Sequence, residues 1–191
     1  MPFRLKEILL GIALLALTPG FPQKASSFHV DLGLVQNHKG FFRLFGGVFE
    51  AGAGYNRELL GNLHGGLSMR MSLISRQGTT NRAVCYKPGI NLQYYLHLSE
   101  RIAVVPLAGI GYSFVSVSHQ EFDYRETRPG WNPSAALRIL WKREKKLDYY
   151  VFGNLDYILL NEDEDFTQLR YYREIWISSF GIGMRIKSGG R

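Results

Sequence analysis

Cysteine is almost absent. Cys85 is the only one in 191 residues, so no intramolecular disulfide holds the fold, and the residue reads as a small apolar side chain in a strand. Long apolar runs are scarce as well. A spanning helix needs about 20 apolar residues, and the run at residues 8–17 is roughly half that before Pro19 and Gly20 break it. Arg4 and Lys6 precede the run, so residues 1–25 read as a secretory signal peptide. Residues 18–20 and the region of Ala25 offer small residues without a clean Ala-any-Ala cleavage site, and no cysteine follows the run for a lipid anchor.

Acidic residues are in the minority, 16 against 23 Lys and Arg, for a formal net charge of +7. Arg4, Lys6 and Lys24 against Glu7 account for +2 of that, which leaves +5 on residues 26–191. The excess suits anionic lipid head groups or lipopolysaccharide. No Lys/Arg stripe or recognition motif accompanies it, which excludes a nucleic-acid partner. Helix-favouring runs are few, whereas glycine occupies 21 positions and aromatics 14% of the chain. That balance points to an all-β domain over 26–191.

The last stretch, residues 175–186, shows the pattern most clearly. Trp176, Phe180, Ile182, Met184 and Ile186 share one face, interrupted by Ser178. Ser179, Gly181, Gly183 and Arg185 share the other, with Ile177 the exception. Successive strand side chains point to opposite faces, so this strand has an oily face and a small, polar one. Such a strand suits lipid outside and a narrow, hydrated or hydrogen-bonded interior.

The same alternation recurs along the chain. It predicts strand one around Phe28 to Leu34 and, after a turn at 36–40, strand two over 42–55. A turn at 56–62 leads to strand three, from Leu63 to Leu73, and a loop at 77–82 follows. Strand four runs from Tyr86 to His97. Strand five, about 102–117, is the least regular because Pro106 lacks a ladder donor and requires a bulge or a strand end. A polar loop at 118–128 precedes strand six, Trp131 to Trp141. A charged turn at 142–146, strand seven from Tyr149 to Leu159, a long loop at 161–173 and the final strand complete the set. About eight strands result, with longer connections after the third, fifth and seventh, as short periplasmic turns and longer extracellular loops give. Tyr86 and Tyr94, Trp131 and Trp141, and Tyr149 and Tyr157 mark both ends of the oily rows. At about 3.3 Å per residue and a tilt near 40°, these spacings cover roughly 20–25 Å, the height of an apolar band between aromatic girdles.

In this pattern the chain resembles the small outer-membrane β-barrels of the OmpA/OmpX/OmpW-like kind over about residues 28–186. The resemblance implies a closed antiparallel up-and-down transmembrane β-barrel with both termini periplasmic, exported through the Sec pathway into a Gram-negative-type outer membrane. Ser179, Gly181, Met184 and Ile186 resemble the C-terminal signal read by the barrel assembly machinery, although the chain continues past them to Arg191 rather than ending on Phe or Trp.

An eight-stranded barrel is just wide enough for side chains to fill, so inner charges must pair. Hairpin register places Glu50 near Arg70 and Asp148 near Arg185, with Asp31 within reach of Arg185 across the closing seam. Lys87, Arg138 and Asp156 are further interior charges. His64 and His97 are expected together at the periplasmic mouth as hydrogen-bonding lining; a metal site there lacks a third ligand. Ser118, His119 and Glu121 have hydrolase residue types, but neighbours on a strand point apart, and the His-any-Ser-Asn pattern of lipid A deacylases is absent. The acidic run 162–165 lacks EF-hand spacing and reads as a solvated loop tip. No cofactor is implied. The expectation is a non-enzymatic outer-membrane barrel with a polar, largely filled interior and loops for surface contact. A narrow pore, a lipid A-modifying enzyme and a lipocalin-like carrier are the alternatives.

Overall fold

The computed structural model describes residues 25–39, 45–76, 82–119, 124–142, 146–161 and 173–188. The signal segment, the 77–81 part of the third loop, Glu121 and the acidic run 162–165 lie outside them. Among the described residues every regular element is a strand: β1 (Ser26–Lys39), β2 (Phe45–Leu60), β3 (Leu63–Arg76), β4 (Arg82–Tyr94), β5 (Leu96–His97), β6 (Ile102–His119), β7 (Tyr124–Lys142), β8 (Leu147–Leu160) and β9 (Glu174–Ser188). Sequential neighbours pair antiparallel, and β1 pairs β9 from Ser26↔Ser188 to Lys39↔Trp176, which closes the sheet. β4 and β5 are two pieces of one barrel strand against β6. Nine elements therefore make an eight-stranded up-and-down barrel, as the alternation predicts.

Proline explains the break between β4 and β5. Pro106 pairs with Leu137 of β7, but the ladder toward β4 and β5 skips from Gln93↔Leu107 to Leu96↔Val104. The ring nitrogen has no hydrogen to give on that side. Pro88 and Pro133 do the same: each is paired on one flank, while the ladder on the other skips past it. The bulge or strand end expected at Pro106 is therefore a ladder gap without a change of register.

Three expectations about boundaries need correction. Residues 118–119 and 124–128, expected in a loop, are strand, because Ser118↔Arg125 and His119↔Tyr124 extend the β6–β7 hairpin, while 120–123 lie outside the described residues. The expected start of strand two at 42 lies outside the described residues; residues 36–39 continue β1 rather than turning, and residues 56–60 continue β2. The tight turn at that end uses Gly61, whose φ of 54° is one that L side chains rarely adopt. By composition these segments read as loops, yet their backbones pair as strand.

The barrel is inside-out over most of its height. Leu32, Leu34, Ile90, Leu92, Ile110, Leu137, Phe180 and Ile182 are exposed, whereas Glu50, Lys87, Asp148 and Asp156 are buried. Toward the end away from the chain termini, here the distal end, both faces change character. On β9 the inner row passes from Ser179 to Ile177 and the outer from Phe180 to Ser178. On β6 the inner row passes from Ser113 to Val115 and the outer from Phe114 to Ser116; on β3, from Ser72 to Ile74 and from Leu73 to Ser75. β1 repeats it, from Gly33 to Val35 inside and from Leu34 to Gln36 outside. Ser178 and Ile177, the two exceptions in the terminal pattern, mark this level. Tyr112 packs on Trp131 just below it, with ring centroids 5.5 Å apart, and Tyr157 packs on Trp176, one outer position beyond Ser178 on β9, at 4.7 Å. These rings form the distal girdle; Tyr94, Trp141 and Tyr149 are exposed near the other end.

Candidate functional site in the barrel interior

The distal interior is apolar, which corrects the expectation of a polar lining throughout. Val35, Ile74, Ala83, Cys85, Val115, Ile158, Leu160, Ile175 and Ile177 form one buried cluster contributed by β1, β3, β4, β6, β8 and β9. Cys85 is fully buried in it, as its reading as a small apolar side chain requires. Periodicity alone did not reveal the cluster, although Ile177 was its visible sign.

Beneath the cluster lies a ring of charge. Lys87 Nζ donates to Glu50 Oε2 and, at 2.7 Å, to Asp156 Oδ2. Arg70 bonds Asp156 Oδ1 at 2.8 Å and lies 3.5 Å from Glu50. Ser72 and Ser179 each donate to Glu50 at 2.7 Å, and Asn154 donates to Asp156 at 2.8 Å. Two cations and two anions thus neutralise one another in a site where a lone charge would be costly. The expected Glu50–Arg70 pair is present; Lys87 joins it from the position opposite Arg70 on β4, and Asp156 from across the bore.

A second group sits nearer the termini. Asp31 does not pair with Arg185; its Oδ2 is 3.9 Å from Arg138 and accepts from Tyr150 Oη at 3.1 Å. The reason is the Tyr150 ring, which occupies the space that a Cβ on Gly183 would take and so stands beside Asp31. Arg138 also contacts His29 Nε2 at 3.2 Å, and His29 Nδ1 contacts Asn56 at 2.8 Å. A cavity at this level, lined by Asp31, Arg70, Asn91 and Arg138 among others, has a volume of about 20 Å³, room for about one water.

At the proximal mouth Asp148 is fully buried and holds both Arg185, at 3.0 Å to Nε, and Lys187, at 3.0 Å to Nζ. The first pair was expected. Lys187 was not, because it reads from the sequence as part of a tail beyond the last strand. His64 and His97 both line the mouth, but Tyr95 stands with them, its ring 4.6 Å from His64 and 6.3 Å from His97. His97 Nδ1 contacts Lys142 at 3.0 Å. Among the described residues no group of three metal-ligating side chains occurs. Ser118 donates to the Arg82 carbonyl at 3.4 Å, a structural contact. Of the assembly-signal positions, Ser179 and Gly181 lie on the inner row, with Ser179 bound to Glu50, while Met184 and Ile186 face outward.

No protein-family model and no curated protein sequence matches the chain. Solved structures do match. Neisserial surface protein A aligns at 11% identity over 85% of this chain and 97% of its own, with a TM-score of 0.68. A major outer membrane protein of Thermus thermophilus aligns at 12% identity over 85% and 99%, TM-score 0.59. The attachment invasion locus protein of Yersinia pestis, solved with the heparin analogue sucrose octasulfate, aligns at 9% identity over 87% and 100%, TM-score 0.53. With an outer surface of exposed leucine, isoleucine and aromatic rings around a buried ionic interior, this chain has the fold of the small outer-membrane β-barrels.

Proposed function

We propose that the chain is a non-enzymatic integral protein of a Gram-negative-type outer membrane, a sealed barrel that carries rigid hairpins above the bilayer for contact with the cell's surroundings. The observation that carries the reading is the polarity change at the distal girdle. On β1, β3 and β6 the outer row above it is polar and the inner row apolar, the arrangement of a protein core in water. Below it the outer face is apolar and the inner face ionic, the arrangement of a barrel in lipid. The apolar cluster sits across the bore above four mutually neutralised charges, which favours closure over conduction.

The hairpin β6–β7 reaches past the girdle as paired strand, a firm platform with Thr127 bonded to Ser116 at 3.2 Å and Glu126 bonded to Arg128. Export through the Sec pathway on residues 1–25, insertion by the barrel assembly machinery and contact with lipopolysaccharide complete the proposal. The test is conductance in planar bilayers of refolded protein whose gel mobility shifts on boiling. A silent bilayer is expected; a steady unitary conductance would overturn closure and establish the narrow pore.

A further inference from the structure

Charge balances in the ring beneath the apolar cluster, but it does not balance at the proximal mouth. Asp148 of β8 stands in register between Lys142 of β7 and Arg185 of β9. It is fully buried, and its two oxygens are held by Arg185 and Lys187. Lys142 contacts His97 Nδ1 at 3.0 Å, an imidazole that does not offset its charge. The three cations against Asp148 leave +2, and Glu58 of β2, in the same lining, reduces this to +1. The mouth encloses a cavity of about 370 Å³, in the size range of small-ligand sites. Its charged side chains come from the inner rows, so it opens along the barrel axis to water rather than through the wall to lipid.

We infer that this mouth binds one phosphate group of a soluble molecule, between Lys142, Lys187 and His97. An ammonium only donates, so His97 Nδ1 accepts from Lys142 and the ring hydrogen sits on Nε2, a further donor. The Lys142 ammonium carries three hydrogens, one of which goes to His97. Arg185 is fixed by Asp148 and by Tyr95, whose ring centroid lies 4.9 Å from the guanidinium carbon, so it contributes positive field. Buried Ser27 adds a hydroxyl from β1. The donors thus stand on β1, β5, β7 and β9, around the mouth instead of along one edge. That arrangement suits a tetrahedral oxyanion with four acceptor oxygens better than a planar carboxylate with two. Asp148 gathers the cations without neutralising them all, and charge-assisted bonds to the surplus are the strong ones. The inference does not depend on whether the bore is sealed.

The experiment titrates inorganic phosphate into the refolded barrel in a neutral maltoside detergent at constant ionic strength and follows the phosphorus-31 line width. A boiling-dependent gel shift on the same samples reads the barrel itself. Saturable broadening is expected. Lys142→Gln should weaken the binding about tenfold, the loss of one charge-assisted bond. Arg57→Gln removes an equal charge from the outer row of β2, outside the cavity lining, and should leave the binding unchanged. Broadening that never saturates, or an equal loss in both variants, would reduce the effect to diffuse attraction and overturn the site. Glycerol phosphate and a short-chain phosphatidic acid then compete with the inorganic ion. Similar displacement by both is expected for a site that opens to water, whereas displacement by the lipid alone would assign the phosphate to the leaflet and overturn the soluble source. A chain without the gel shift refutes the barrel and the site with it; a folded barrel that leaves the phosphate line sharp refutes the site alone.

Discussion

Lys87 is the residue on which the interior charges converge. It comes from β4, yet its ammonium lies between Glu50 of β2 and Asp156 of β8, and it is 2% exposed. Replacing it with methionine leaves two buried carboxylates sharing Arg70. Removal of one partner from a buried pair costs about 3–5 kcal/mol because the survivor remains charged and unpaired. Lys87→Met should therefore lower the urea concentration at which the unboiled gel form disappears, by more than Arg70→Ala does, since Arg70 reaches Glu50 only at 3.5 Å. The double variant Lys87→Met/Asp156→Asn should recover much of the loss. A single Lys87→Met variant that unfolds with wild-type urea dependence would mean that the charges are independently solvated. Sequence register identified Glu50 with Arg70 because they lie on adjacent strands. It missed the link from Lys87 to Asp156 because that one crosses the bore, and hairpin register carries no information about what meets across it.

At the scale of a strand, β1, β3 and β6 each switch their faces near the girdle, and the outer row of β7 turns polar there too. That makes a labelling experiment decisive, and Cys85 does not interfere with it because it is fully buried. Thr127, on the outer row of β7 above the girdle, is exposed; Leu137, on the same row below it, is exposed to what should be lipid. Thr127→Cys should react with a membrane-impermeant maleimide in intact cells, whereas Leu137→Cys should stay unmodified until detergent is added. Reaction of both at the same rate would place the whole strand in water and return the chain to the soluble-carrier reading. The alternation itself was legible, since the strand pleat is a local property with a period of two. The ends of the strands were not. Above the bilayer an outer row such as Ser118 and Thr127 meets water and has the composition of a loop, so polarity placed the boundary at the membrane surface rather than where pairing stops.

For the whole molecule, two isoleucines on one strand should behave as though they belonged to different proteins. Ile177 is 0% exposed inside the apolar cluster, and Ile182 is 68% exposed on the outer belt. Ile177→Ala leaves a void that packed neighbours fill only in part, a change worth about 2–5 kcal/mol. Ile182→Ala exchanges side-chain contact for contact with an acyl chain that is itself as apolar as the residue lost, so the effect on stability in a bilayer should stay within about 1 kcal/mol. Polar replacements should reverse the ranking of environments tolerated. Ile182→Asn exposes an amide to hydrocarbon with no partner, so it should slow insertion into vesicles while leaving the refolded form in detergent intact. Ile177→Asn should weaken both forms alike, because its surroundings are protein in either case. If the two asparagine variants lost stability in the same proportion in detergent and in lipid, the outer belt would not be a lipid-facing surface, and the division of this barrel into a membrane-embedded part and a water-facing distal part would fail with it.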